Sequence, residues 1–205
     1  MRVETLELLR CPAPHEPSPL ITVAYERDGD RIVEGSLGCS ICGAEYALRE
    51  GVVYLSVDAP IAPDAEAKDP MRTAALLGLN KPGVRVALCG AFGRLAVMIE
   101  EATDARCIAI NTSSIAVDPI RCTALDIVPL ATASLHGLAV DDTHMRLLGD
   151  AARVVKAGGR VLGPAHAPIP DGCRELARDE YEWVAVVERT SSAPVTLQLS
   201  RSTFS

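Results

Sequence analysis

The chain has 205 residues, 48% of them hydrophobic and 23% charged, and its net charge is −7 at pH 7. This composition is typical of a folded domain and excludes a disordered chain. A negative net charge without a basic stripe disfavours direct binding to nucleic acid or to an anionic membrane. Since no apolar run is long enough to span a bilayer and no signal-peptide core opens the chain, we expect a soluble cytoplasmic protein.

Two β-hairpins are predicted in the first sixty residues. Apolar runs at residues 20–25 and 31–37 flank a turn that contains Gly29, which can adopt the positive φ that tight hairpins need. Residues 45–55 have the pattern of a second hairpin. The residues between the two hairpins contain a C-x-x-C motif.

Four residues of this N-terminal unit have the spacing of metal ligands. Cys39 and Cys42 are spaced as in a zinc knuckle, and Cys11 with His15 would complete a tetrahedral site. A unit this small, with few large apolar side chains, would gain much from a bound zinc ion. The alternative is a ribbon that folds by packing on its neighbour and keeps these thiols reduced. Seven cysteines without an export signal argue against a disulfide framework, and the other four are expected to fill the core.

The composition predicts two domains. Residues 59–70 contain three prolines and no apolar period, which indicates an exposed linker between a β-rich unit at 1–58 and a larger unit at 71–205. A lead-in helix is predicted over 71–79, with Met71 and Ala74 on its apolar side.

The larger unit alternates strands and helices. Strands are predicted at residues 84–89, 106–111, 121–125, 134–140, 159–163, 182–188 and 195–201, and helices at 94–102 and 143–156. Strands that alternate with helices predict a parallel, doubly wound α/β sheet, and the last two strands are expected to be antiparallel. The helix at 143–156 has the strongest pattern, with Asp142 or Thr143 as its N-cap and Gly158 as its stop.

Residues 84–93 run from a buried strand through a glycine turn into a helix, the corner at which doubly wound domains bind nucleotides. Asp141 and Asp142 follow the fourth predicted strand at the same edge of the sheet, with His144 close by in sequence. We assign Asp142 as the candidate catalytic residue. The competing interpretation is that Asp142 only caps the helix.

Residues 6–55 are similar to the small zinc-ribbon proteins that activate tRNA and translation-factor methyltransferases. The likeness lies in the Leu-Arg-Cys-Pro opening at 9–12, in the Cys39 to Gly43 knuckle, and in the tail that contains Tyr46, Arg49 and Gly51. It implies a zinc site. His15 stands where the family has a fourth cysteine.

Residues 71–200 resemble the class I S-adenosylmethionine-dependent methyltransferases. Residues 148–162 are similar to the family's helix-to-strand signature, residues 126–138 to the segment around its fourth strand, and residues 84–93 lie where the cofactor loop belongs. The resemblance implies a Rossmann-like methyltransferase sheet behind the zinc ribbon. It also implies that Gly90, Gly93, Asn111 and Asp126 would hold S-adenosylmethionine.

The cofactor loop departs from the family pattern. Ala87 replaces its acidic residue, Cys89 and Ala91 replace two glycines, and Asn111 replaces the carboxylate that would bind the ribose. Phe92 would pack either on a cofactor or in the space that a lost cofactor leaves.

The chain resembles the methyltransferase family but departs from its cofactor-loop pattern, and two functions are consistent with this. The first is a methyltransferase-like pseudoenzyme with a degenerate cofactor loop, which acts by binding a protein partner or by forming a homo-oligomer. The second is an active methyltransferase of unknown acceptor. The resemblance implies that the zinc-ribbon protein and the methyltransferase are usually separate chains that associate. Here both would lie in one chain, so their association would be permanent. A dinucleotide-dependent oxidoreductase fits less well, because no acidic residue ends the second strand.

Overall fold

The computed structural model describes residues 1–56, 68–112, 117–122 and 126–188. Within these ranges the strands are β1 (Leu20–Asp28), β2 (Arg31–Cys39), β3 (Glu45–Arg49), β4 (Val52–Tyr54), β5 (Arg85–Cys89), β6 (Arg106–Ile110), β7 (Pro119–Arg121), β8 (Leu135–Ala139), β9 (Val155–Pro164), β10 (Cys173–Arg178) and β11 (Glu182–Val187). The α-helices are α1 (Val3–Leu6), α2 (Pro70–Leu77), α3 (Ala96–Ala102) and α4 (Ala151–Val154), and two 3₁₀ helices span Gly90–Leu95 and Asp142–Asp150.

All eleven strands belong to one sheet, in the order β1-β2-β3-β4-β7-β6-β5-β8-β9-β11-β10. The central strands β7, β6, β5, β8 and β9 are parallel. Counted from β5, their order is 3-2-1-4-5, which is the order of a doubly wound sheet. Strand β11 runs antiparallel between β9 and β10. The predicted α/β, Rossmann-like class is confirmed.

Alternate residues of β5 show how both faces of this sheet are covered. Val86 and Leu88 belong to one apolar cluster, whereas Ala87 and Cys89 belong to another. All four are fully buried. A strand that is buried on both faces is apolar throughout, and for this reason the run at 84–89 was predictable from the sequence.

The N-terminal hairpins extend the same sheet. Strands β1 and β2 form the first predicted hairpin and β3 and β4 the second. Strand β4 then pairs in parallel with β7, where Val53 lies opposite Ile120. Leu37, Leu48 and Val53 share an apolar cluster with Ile120. The two N-terminal hairpins, β1 to β4, which we call the ribbon, therefore pack into the core of the larger unit. The division into domains at 58 and 71 stays a prediction about which parts fold independently.

A buried polar network joins the first residues to the segment before β7. Arg2 Nε donates to Asp118 Oδ2 over 2.6 Å, and Arg2 Nη2 donates to Glu100 Oε1 over 2.8 Å. Thr5 Oγ1 also donates to Asp118, whose side chain is fully buried. These contacts satisfy charges that would otherwise be buried without partners.

The predicted long helix at 143–156 is wrong. The segment begins as the 3₁₀ helix Asp142–Asp150 and continues as the four-residue helix α4, after which β9 starts at Val155. The helical pattern is overridden because residues of β9 pair with β8, with Val155 opposite Leu135. Gly158 has the expected positive φ of 83°, but inside β9. The N-cap is Asp141 and not Asp142 or Thr143.

Three smaller predictions also need correction. Helix α2 begins after the Asp69 cap and ends at Gly78, and Met71 is exposed whereas Leu77 is buried. The helix at 94–102 is preceded by a 3₁₀ turn that starts at Gly90. Strand β7 begins at Pro119, two residues before the predicted start.

One observed strand was not predicted, and some predicted segments lie outside the described residues. The exposed strand β10 was not predicted. The predicted strand at 195–201, the end of that at 121–125 and most of the linker lie outside the described residues. No helix in the described part of the chain is long and apolar enough to cross a membrane.

Candidate functional site

The four predicted metal ligands come together at the knuckle between β2 and β3. One donor atom from each of Cys11, His15, Cys39 and Cys42 lies within 4.8 Å of the others. The turn is closed by two backbone hydrogen bonds, from Gly43 N to Cys39 O and from Cys39 N to Ala44 O, both 2.9 Å long. Such a turn points both thiols of a C-x-x-C motif to one side.

The spacing of these donors fits a tetrahedral zinc ion. Zn–S bonds of about 2.3 Å and Zn–N bonds of about 2.0 Å separate the ligand atoms by about 3.8 Å for two sulfurs and about 3.5 Å for sulfur and nitrogen. Cys11 Sγ lies 3.8 Å from Cys42 Sγ, and Cys39 Sγ lies 3.4 Å from His15 Nε2. Three thiolates and one imidazole form a donor set that zinc prefers.

Groups around the cluster orient its ligands. His15 Nδ1 lies 2.6 Å from the Glu16 carbonyl, and donation of the Nδ1 proton to that oxygen leaves Nε2 free to bind a metal. The hydroxyl of Tyr46 lies 3.3 Å from Cys11 Sγ. Backbone N–H groups of Cys42 and Ile41 lower the pKa of the Cys39 thiol to about 6. Burial raises the pKa of Cys11.

The second candidate site is the corner after β5, at the switch point between β5 and β8. Gly90 has a φ of 61°, a left-handed conformation that favours glycine. A Cβ on Gly90 would overlap the carboxylate of Asp141, which follows β8. Gly93 packs closely on the next strand end, since a Cβ there would lie 2.7 Å from Thr112 Cβ. The corner is therefore filled closely by the residues around it.

Asp141 is the central side chain of this corner. Its Oδ2 accepts a hydrogen bond of 2.8 Å from Ala91 N, and its Oδ1 lies 2.6 Å from His144 Nδ1. Burial would raise the pKa of Asp141, but the hydrogen bonds from His144 and Ala91 N–H outweigh it and hold the pKa below its usual range. Nε2 of His144 is buried and has no hydrogen-bond partner among the residues that the structure describes.

Two predicted cofactor residues are engaged within the protein. The Asn111 side chain is buried, and its Nδ2 donates to Cys122 O while its Oδ1 accepts from Cys122 N, each over 2.8 Å. Phe92 is 1% exposed and packs in the apolar cluster with Leu88 and Val184. Lys68 Nζ lies 4.3 Å from the centre of the Phe92 ring, a cation–π distance.

The two predicted acidic residues lie on the surface. Asp126 is exposed and lies 3.8 Å from Arg146. Asp142, the candidate catalytic residue, is also exposed and lies 3.6 Å from His166. The roles assigned to these residues, and to Gly90, Phe92, Gly93 and Asn111, stay predictions.

The sites predicted from the sequence omit three side chains that the structure brings to them. The sequence indicated Asp141 and His144 only as neighbours of Asp142. Asp141 contacts the glycine turn through Ala91 N, fifty residues away in sequence, and His144 contacts Asp141. Tyr46 was signalled by alternation along β3, because it lies directly opposite the buried Leu37 and so faces inward. Leu48, two residues further along β3, is fully buried, so counting back by two from Leu48 would have placed Tyr46 on the inward face of the strand.

The strand order and the glycine corner at its switch point define a Rossmann-like α/β protein that carries a Cys₃His cluster at its N-terminal end. No protein-family model matches the chain, and no curated protein matches it.

Three solved structures are similar at low scores. The antibiotic-resistance methyltransferase Kmr aligns with 64% of this chain and 98% of its own, at 11% identity and a TM-score of 0.37. The cyclase SpnF aligns over 53% and 50%, at 14% identity and a TM-score of 0.37. The geranyl diphosphate C-methyltransferase from Streptomyces coelicolor A3(2) aligns over 51% and 56%, at 18% identity and a TM-score of 0.36. These likenesses assign neither a ligand nor an activity.

Proposed function

We propose that this protein is a methyltransferase-like Rossmann protein whose corner does not bind S-adenosylmethionine, and that it acts by binding a protein partner. The observation that supports this most directly is the position of the Asp141 carboxylate. It accepts the Ala91 N–H and lies against Gly90, where a bound cofactor would have to approach the backbone. A cofactor carboxylate would meet a fixed negative charge at this point.

Two further side chains support the same conclusion. The Asn111 amide donates one hydrogen bond to Cys122 O and accepts one from Cys122 N, so its orientation is fixed by the backbone within the protein. Phe92 is buried among aliphatic side chains instead of lining an open surface. A side chain that is satisfied and buried in this way stabilises the fold and need not serve a ligand.

We also propose that Cys11, His15, Cys39 and Cys42 hold a zinc ion. Four protein ligands leave no open coordination position, so the metal would be structural and not catalytic. When bound, zinc crosslinks the loop after α1 to the knuckle between β2 and β3. The ribbon would then present a rigid surface to a partner, which is either another protein or a second copy of this chain.

The alternative function is an active S-adenosylmethionine-dependent methyltransferase of unknown acceptor. One observation favours it. Asp141 fixes Nδ1 of His144, and within the described part of the chain the buried Nε2 has no partner, which is how a carboxylate orients an imidazole base. In this alternative Gly90, Gly93, Asn111 and Asp126 would hold the cofactor, and His144 or Asp142 would face the acceptor.

Thermal denaturation with S-adenosylmethionine and with S-adenosylhomocysteine separates the two functions. A ligand at 100 times its dissociation constant stabilises the folded state by about 2.7 kcal/mol, which raises the midpoint by several degrees. We expect no rise with either ligand at millimolar concentration. A rise that follows ligand concentration would overturn the proposal and support the active enzyme. Sedimentation of the purified chain then tests whether its partner is a second copy.

A further inference from the structure

We propose that Cys42 is the reactive ligand of the metal cluster, because the three thiolates are shielded unequally from solvent. A soft electrophile adds to the Cys42 thiolate first, and metal release begins there. The proposal rests on zinc binding at the Cys₃His cluster. It concerns a covalent modification site, which the proposed function does not require.

Burial differs sharply among the three thiols. Cys11 is 6% and Cys39 4% exposed, whereas Cys42 is exposed at the tip of the knuckle. Its neighbour Ile41 is 56% exposed, so the surroundings of Cys42 are open as well. Among all seven cysteines Cys42 is the exposed one, and Cys173 is half-buried. A reagent in solution therefore reaches Cys42 before it reaches the other ligands.

Hydrogen bonding reinforces the difference. Cys11 Sγ lies 3.3 Å from the Tyr46 hydroxyl and also receives the Ala13 N–H. Cys39 receives the N–H groups of Ile41 and Cys42. A donor that points at a thiolate withdraws negative charge from sulfur and makes it a weaker nucleophile.

Tyr46 is the positioning residue of this arrangement. It projects from the inner side of β3, and its hydroxyl lies against the buried thiol of Cys11. The Cys42 sulfur lies 3.8 Å from Cys11 Sγ, a contact within the ligand set itself. The Tyr46 hydroxyl thus lowers the nucleophilicity of Cys11, and Cys42 is the thiolate of the cluster that reagents in solution can reach.

The chemical step needs no oxidant. With N-ethylmaleimide as the probe, the Cys42 sulfur would form a bond to a carbon of the maleimide double bond and would give up its place as a metal ligand. The other carbon would take a proton from water. Cys11, His15 and Cys39 alone would hold zinc less tightly, so that a chelating dye could take it up.

The experiment uses the full chain with Cys173→Ser, so that the half-buried thiol outside the cluster does not compete. Zinc content is measured first. The chain is then treated with one equivalent of N-ethylmaleimide while a zinc-binding dye follows release and peptide mass spectrometry locates the adduct. We expect the first adduct on Cys42, with zinc release at the same rate. Tyr46→Phe should raise the rate at Cys11 by about tenfold or more and leave Cys42 unchanged.

Tyr54→Phe is the matched control, because Tyr54 is exposed on β4 and lies opposite Ala47, so its side chain is on the other face of the sheet from Tyr46. It should leave both rates unchanged. If the purified chain holds no zinc, the zinc site fails and this proposal fails with it. If zinc is present but the first adduct forms on Cys11 or Cys39, only the proposal of unequal shielding is overturned. Equal Cys11 rates in the wild-type and Tyr46→Phe chains would remove the protective role of Tyr46.

Discussion

The carboxylate of Asp118 lies 2.6 Å from the Arg2 guanidinium, and both side chains are buried, with exposed fractions of 0% and 7%. The pair connects the first turn of the chain to the strand next to β4. It therefore ties the ribbon to the Rossmann-like sheet at a second point, in addition to the β4–β7 pairing.

We expect Asp118→Ala to destabilise the chain by about 3–5 kcal/mol, because Arg2 N, Arg2 Nε and Thr5 Oγ1 lose their shared buried acceptor and Glu100 alone then pairs with the Arg2 charge. Urea denaturation measures this as a lower midpoint with an unchanged slope. Glu188→Gln is the control, since the Arg174–Glu188 pair is exposed and should contribute less than about 1 kcal/mol. Similar losses for the two variants would show that the buried pair is not what holds the ribbon in place.

Gly90→Ala should destabilise the protein by at least about 1–3 kcal/mol from backbone strain alone, because alanine is disfavoured at a φ of 61°. The added methyl group would also displace Asp141 from Ala91 N–H. Gly149→Ala is the matched control, because a Cβ there meets no atom within 4 Å. Thermal unfolding of both variants tests whether the corner is as tightly packed as the Asp141 contact implies.

The Asp141 carboxylate should make the stability of the chain sensitive to acid. Its pKa is lower in the folded than in the unfolded chain, so its contribution is present above the unfolded pKa of about 3.9 and is lost as pH falls through the folded value. We expect Asp141→Asn to be less stable than the wild type at pH 7, and this difference to shrink as pH falls below about 4. A difference that is constant from pH 7 to pH 3 would contradict the assigned role.

Zinc content should depend on the four cluster residues and on no other cysteine. We expect elemental analysis to find about one zinc ion per chain, and to find much less in Cys39→Ser and His15→Ala. Cys173→Ser should keep the full content, because Cys173 lies outside the cluster. Wild-type zinc content in His15→Ala would show that the imidazole is not a ligand.

Local signals account for the parts of this structure that the sequence predicted. The hairpin turns, the buried strand at β5 and the C-x-x-C knuckle each depend on residues that are neighbours in sequence. The clustering of Cys11, His15, Cys39 and Cys42 was predictable because thiols and imidazole at this spacing have few other uses. Cys11 and His15 lie far from the knuckle in sequence but share this chemistry.

The parts that were missed depend on distant contacts. The helix predicted at 143–156 is not continuous because β9 pairs with β8, and no residue within the segment indicates that pairing. Strand β10 is mostly exposed and lacks an apolar period. The approach of Asp141 to Ala91 joins two strand ends that are adjacent only through the parallel order. Sequence could place Asp141 at this edge but could not show which donor it meets.

The parallel pairing of β4 with β7 also sets an order of events while the chain is being synthesised. The hairpins and the Cys₃His cluster leave the ribosome well before Ile120, the residue that Val53 will pair with. During that interval the backbone of β4 still lacks its neighbour. An open strand edge can pair with other chains, so the time until β7 arrives is when a nascent chain is most exposed to misassembly.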